Sequence, residues 1–65
     1  MTTTFTQERE LQIREAALVD MRLHRRVPSQ SFVEQTLEHA KRYGAPDIRL
    51  EGIKIKAQRA YSAAA

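Results

Sequence analysis

Sixty-five residues leave room for one domain, since a compact domain needs about 50 residues to own a core. A chain this short buries only about 60% of the surface its unfolded form exposes, and without cysteine it can use neither disulfides nor thiolate metal sites. Eleven basic and 8 acidic residues give a net charge of +3, which favours an acidic partner without deciding between nucleic acid and protein.

Residues 1–5 are threonine-rich and read as a frayed terminus leading to a helix cap at Thr4 or Thr6; Thr4 followed by Gln7 has capping-box spacing. Residues 7 to about 26 contain no Gly or Pro, are dominated by strong helix formers and carry Glu10 and Arg14 as a favourably oriented pair, which predicts the first amphipathic helix. Pro28 disfavours helical geometry at Val27 and places the stop there. The apolar residues of this helix form two stripes: Leu11, Ile13, Ala17, Leu18 and Met21 make a broad face, and Ala16, Val19 and Leu23 recur on another side. Two stripes need two covers, so Ala16, Val19 and Leu23 are candidates for a homodimer interface; the alternative is that the C-terminal segment covers them.

The second helix is predicted over residues 31–43. Ser31 and Glu34 have capping-box spacing, and Phe32, Val33, Leu37, Ala40 and Tyr43 fall on one arc. Lys41 and Arg42 sit where the helix dipole favours cations, and Gly44 then Pro46 form the terminating pair. Beyond Pro46, the C-terminal segment 47–61 has two readings. As a third helix, Leu50, Ile53, Ala57 and Tyr61 bury together and strand Ile48 and Ile55. As a short β-hairpin followed by a tail, Ile48, Leu50, Ile53 and Ile55 share one face around a Glu51-Gly52 turn. Residues 62–65 read as a loose end. The fold class is therefore mainly α, and the chain reads as a single small domain over 1–65.

The stretch from Ala40 to Ile53 resembles the helix-turn-helix family of DNA-binding proteins. Ala40 is small enough for two helices to cross closely, Gly44 allows a positive backbone angle four residues later, and Leu50 and Ile53 are anchors of a second helix. The resemblance implies a small basic DNA-binding regulatory or accessory protein acting as a dimer. It would set Asp47, Ile48, Arg49 and Gly52 toward the major groove, with phosphate contacts from Lys54, Lys56 and Arg59. Ile48 and Gly52 are poor base readers and Asp47 repels phosphate, so readout would rest on Arg49. A slighter resemblance, from Val27 to Glu34, is to ribbon-helix-helix dimers, with Thr2 to Thr6 as the ribbon.

Arg22, His24, Arg25 and Arg26 form a second basic feature at the end of the first helix. Three closely spaced guanidinium groups can clamp phosphates or receive acidic side chains, or they can simply complement the helix dipole. The candidate residues for a nucleic-acid or acidic-protein partner are thus Arg22, Arg25, Arg26, Arg49, Lys54, Lys56 and Arg59. The competing function is a protein-binding adaptor or inhibitor, of antiactivator or assembly-factor type, with no nucleic-acid contact.

No catalytic constellation is visible. His24 and His39 lie 15 residues apart among charged neighbours, there is no Gly-rich phosphate loop, and no metal, cofactor or small-molecule substrate is expected. The longest apolar run, Ala16 to Val19, is far too short for a membrane span or a secretory signal, and a cytoplasmic address is expected.

Overall fold

The computed structural model describes residues 3–65, with side chains from residue 6 onward. It contains three helices: α1 (Thr3–Leu23), α2 (Gln30–Tyr43) and α3 (Asp47–Ala64), with no strand among the described residues. His39 Nε2 lies 2.9 Å from the Gln7 carbonyl oxygen, and the Arg14 guanidinium stands over the Phe32 ring at 5.5 Å, so α2 runs antiparallel to α1. Arg49 reaches Glu8 and Lys56 reaches Glu15, so α3 runs parallel to α1. The result is an up-down-up bundle 41 Å long.

Its core is small. Leu11 and Leu18 from α1, Ala40 from α2, and Ile53 and Ala57 from α3 are buried together, and Phe32, Val33, Leu37, Tyr43, Leu50 and Tyr61 pack against them. Ala57 and Ala60 are small where α3 is buried, which lets helix backbones approach closely. The only buried polar side chain among the described residues, Thr36, is satisfied by donating from Oγ1 to the Phe32 carbonyl at 2.8 Å.

The termini of the helices correct several expectations. α1 begins at Thr3, so Thr6 lies inside it and Thr4 is its second residue; the capping position ahead of Thr3 falls outside the described residues, as does the rest of the proposed ribbon. The ribbon reading fails for Thr3 to Thr6, which are helical. α1 stops at Leu23, short of the expected Arg26. Arg25 takes the left-handed conformation (φ 57°), Arg26 N–H bonds the Met21 carbonyl at 2.7 Å, and Arg25 N–H bonds that of Arg22 at 3.2 Å. These two bonds are the Schellman closure of a helix, made here with arginine where glycine is usual. Pro28 is buried one turn further on and does not itself end the helix.

Ser29, not Ser31, caps α2: its Oγ accepts the Phe32 N–H at 3.0 Å, while Ser31 lies within the helix and accepts from Gln35. The C-terminus of α2 follows the expected chemistry. Gly44 is left-handed (φ 90°), with Ala45 N–H on the Ala40 carbonyl at 2.9 Å and Gly44 N–H on that of Lys41 at 3.0 Å. The 47–61 segment is a third helix. It runs through Ala64, consistent with the helix propensity of the terminal alanines. As that reading requires, Ile48 is stranded at 81% exposure and Ile55 at 49%.

The two glycines make opposite demands. Gly44 needs a conformation that costs an L-residue about 1–2 kcal/mol, whereas a Cβ at helical Gly52 meets nothing within 4 Å. Gly44→Ala should therefore lower stability by about 1 kcal/mol, and Gly52→Ala should raise it by about 0.5–1 kcal/mol. Thermal melts followed by circular dichroism check both; a stabilising Gly44→Ala would contradict the left-handed closure of α2.

Candidate functional site

The cations proposed for partner binding separate into two groups. Arg49 is spent inside the bundle. Its Nη1 and Nη2 donate to the two oxygens of Glu8, each at 2.8 Å, and its Nε and Nη2 donate to Glu15 at 3.2 and 3.0 Å. Glu8 and Glu15 are one heptad apart on α1 and share the face turned to α3, so one planar guanidinium serves both. Lys56, one heptad beyond Arg49, reaches Glu15 at 4.0 Å, and Lys54 pairs with Glu51 at 3.6 Å on the outer side of α3.

The remaining four, Arg22, Arg25, Arg26 and Arg59, are exposed and make no ion pair among the described residues. Three of them crowd the C-terminal end of α1 and the connector to α2. Leu23 and Val27, beside them in the chain, are 69% and 64% exposed, so this end presents both guanidinium and apolar groups. Asp20 is the acidic residue of this region, and its carboxylate faces His24 Nδ1 at 3.3 Å. Ala16, Val19 and Leu23, the residues proposed for a dimer, are exposed on α1, and α3 does not cover them.

Beneath this surface the connector and the neighbouring helices enclose a cleft of about 450 Å³. Ala17 and Met21 of α1, Val27 of the connector and Phe32 of α2 form its apolar lining, and Asp20, Arg26 and Ser29 complete it. A second groove of about 490 Å³, between α1 and α2, is lined by Arg14, Ser31, Glu34, Gln35, Glu38, His39 and Arg42. Its charges are mixed and partly paired internally, Arg42 with Glu38 at 3.4 Å, and His39 Nε2 donates to the Gln7 carbonyl, so it presents no field of one sign.

The α2–α3 corner carries the pattern behind the helix-turn-helix resemblance. Ala40 and Ile53 are fully buried, Leu50 is half-buried, and Gly44 is left-handed. The residues α3 shows outward from that corner are Asp47, Ile48 and Glu51, because Arg49 turns inward and Gly52 is half-buried. Two carboxylates and an isoleucine therefore occupy the surface where a groove reader carries hydrogen-bond donors. Sequence reasoning missed Glu8, Glu15 and Tyr43 as members of a polar cluster. The heptad spacing of Glu8 and Glu15 opposite that of Arg49 and Lys56 is the one signal that could have found them.

The cluster sets the acid behaviour of the fold. The side-chain hydrogen bonds from Arg49, with a further one from Tyr43, lower the Glu8 carboxyl from 4.5 to about 2, while Glu8 in turn raises the Tyr43 phenol above its ordinary value. Arg49 is likewise pushed up by its two carboxylate partners. Because the folded protein binds the Glu8 proton more weakly than the unfolded chain, Glu8 supports the fold fully above its usual pKa of 4.5. That contribution is lost as the pH falls toward about 2. Glu8→Gln should lower the melting temperature at neutral pH and flatten its decline between those two values. An unchanged acid transition in Glu8→Gln would show that the cluster does not bear on stability.

No membrane-spanning helix occurs among the described residues, since none is long and apolar enough to cross a bilayer. Compared with known proteins, the chain matches no family model, no curated protein and no solved structure.

Proposed function

We propose that this chain is a non-catalytic binding module whose working surface is the C-terminal end of α1 with its connector, and whose partner is a protein carrying an acidic surface. The observation that carries the reading is Arg25. It holds a left-handed backbone (φ 57°) at the position where glycine closes a helix without strain, and its side chain makes no hydrogen bond or ion pair among the described residues that repays the conformation. A residue kept at a strained position with its charge facing water is best explained by what that charge meets. Arg22 and Arg26 lie near it, also without an ion pair among the described residues, and the exposed Leu23 and Val27 supply apolar area beside them. Arginine interleaved with apolar side chains is the composition of protein interfaces; a DNA interface is more polar and more uniformly basic.

DNA remains the second reading, favoured by the packing of Ala40, Gly44 and Ile53 at the α2–α3 corner. Both readings use Arg22, Arg25, Arg26 and Arg59, and they differ in Arg49. A base-reading Arg49 would have to leave Glu8 and Glu15, exposing two carboxylates next to phosphate. A homodimer belongs to either reading: Ala16, Val19 and Leu23 form an exposed stripe on α1, and a second copy is the simplest cover for it in so small a fold. We expect sedimentation to give twice the chain mass at tens of micromolar and Val19→Glu to give a monomer; a wild-type monomer under those conditions would contradict the dimer.

Arg25→Gly separates function from fold. It should stabilise the protein by about 0.5–1 kcal/mol, read as a higher melting temperature, because glycine relieves the left-handed strain. It should also weaken capture of the partner from nuclease-treated lysate, and Arg25→Gly with Arg26→Glu should abolish it. If untreated lysate yields nucleic acid alone, and affinity for a random duplex falls about 10³-fold or more between about 50 and 200 mM salt, the DNA reading replaces this one.

A further inference from the structure

The basic surface continues into the cleft bounded by α1, the connector and the start of α2. Its inner wall is apolar: Ala17 and Met21 lie one turn apart on α1, Phe32 stands opposite, and Val27 forms an exposed lip. Met21 and Phe32 are half-buried and pack on the core, so this wall is backed by the most rigid part of the fold. The cation at its rim is Arg26. Arg26 borders the cleft without an ion pair among the described residues, and Arg22 and Arg25 lie within the same end of α1. The first turn of α2, which opens beside Ser29, contains no acidic residue to offset the positive end of its dipole. Asp20 also lines the cleft, with its carboxylate turned to His24 at 3.3 Å.

A cleft of about 450 Å³ with this apolar wall is large enough for a bulky side chain, and Arg26 at its rim favours a carboxylate beside that side chain. We propose that the cleft is the anchor socket of the binding surface, receiving one large apolar side chain, phenylalanine or leucine, from an acidic segment of the partner whose neighbouring carboxylate meets Arg26. The assignment rests on the acidic-protein reading above and deepens it. The basic surface provides attraction toward acidic proteins in general, and the socket discriminates among them by the residue beside the carboxylates. Burial of one apolar side chain at the centre of a charged patch is the arrangement in which a single residue dominates affinity.

The probes are two synthetic tetrapeptides, acetyl-Glu-Phe-Glu-Glu-amide and its alanine counterpart acetyl-Glu-Ala-Glu-Glu-amide, each titrated into isotope-labelled full-length protein and followed by NMR. The phenylalanine peptide should bind about tenfold more tightly and shift the resonances of Ala17, Met21 and Phe32. Ala17→Leu, which fills the floor, should bring its affinity down to that of the alanine peptide. Val27→Asp, at an exposed position that the fold does not depend on, should do the same by repelling the carboxylates, so the test survives if Ala17→Leu misfolds. Equal binding of the two peptides, with shifts confined to Arg22, Arg25 and Arg26, would overturn the socket and leave the basic surface standing. No shift in the cleft with either peptide would overturn it as well. Cleft resonances that move with a random DNA duplex alone, or with protein concentration alone, would overturn it in favour of phosphate or of a second copy. Failure of the basic-surface reading itself is read separately, from the Arg25 and Arg26 variants.

Discussion

One guanidinium sets the register of this bundle. The apolar core is too sparse to do so alone, because alanines at 40, 57 and 60 are tolerant of sliding and, among the described residues, Leu11, Leu18 and Ile53 are the large apolar helix side chains that are fully buried. Arg49 is not tolerant. Its flat fork makes two hydrogen bonds to each of Glu8 and Glu15, and shifting α3 by one turn would leave two half-buried carboxylates facing each other without a counter-charge. Ion pairs of this kind add little net stability compared with apolar packing, but the penalty for breaking one is large, which makes them devices of specificity. Here the specificity is for α3 parallel to α1.

The distribution of surface charge follows from that choice. Lys56 joins the same seam and Lys54 is neutralised locally by Glu51, so α3 offers Arg59 as its free cation among the described residues. Three exposed arginines without an ion pair among the described residues, Arg22, Arg25 and Arg26, lie at the far end of α1. There the heptad that carries Glu8 and Glu15 continues with Arg22, while the matching heptad of α3 continues from Arg49 and Lys56 to Ala63. The seam is closed at one end by paired charges and left unpaired and positive at the other. A modest net charge of +3 thus becomes a local field, which a composition average does not convey.

Local chemistry was legible in the sequence and long-range chemistry was not. The existence of the first two helices and the glycine closure of α2 could be read from periodicity and the Gly44-Pro46 pair, because those signals are complete within a few residues. Ser29 and Ser31 both precede the apolar arc at spacings that fit a cap, and only the backbone geometry decides that Ser29 accepts the Phe32 N–H. The left-handed turn at Arg25 breaks the preference for glycine, so no local rule could place it, and Pro28 drew the boundary too far along the chain. The bridge from Glu8 to Arg49 spans 41 positions and leaves no periodic trace unless both helices and their relative direction are already known. For the same reason Arg49 reads as a candidate ligand-binding residue in sequence and as a structural tie in the fold.

The choice between helix and hairpin over residues 47–56 shows how those levels combine. A hairpin would gather Ile48, Leu50, Ile53 and Ile55 on one face, and burying an isoleucine contributes about 1.5–3 kcal/mol, so the local argument favours it. The helix leaves Ile48 and Ile55 largely outside. What it gains instead is spread along its length: Ile53, Ala57 and Ala60 are buried on one side, and Arg49 and Lys56 come into line with the carboxylates of α1. Arg49 and Lys56 reach the carboxylates of α1, whereas three-residue strands would have paired only with each other and left Glu8 and Glu15 without those partners. The third helix is therefore selected by the charges of the first, and its two exposed isoleucines are what remains after the electrostatic constraint has been met.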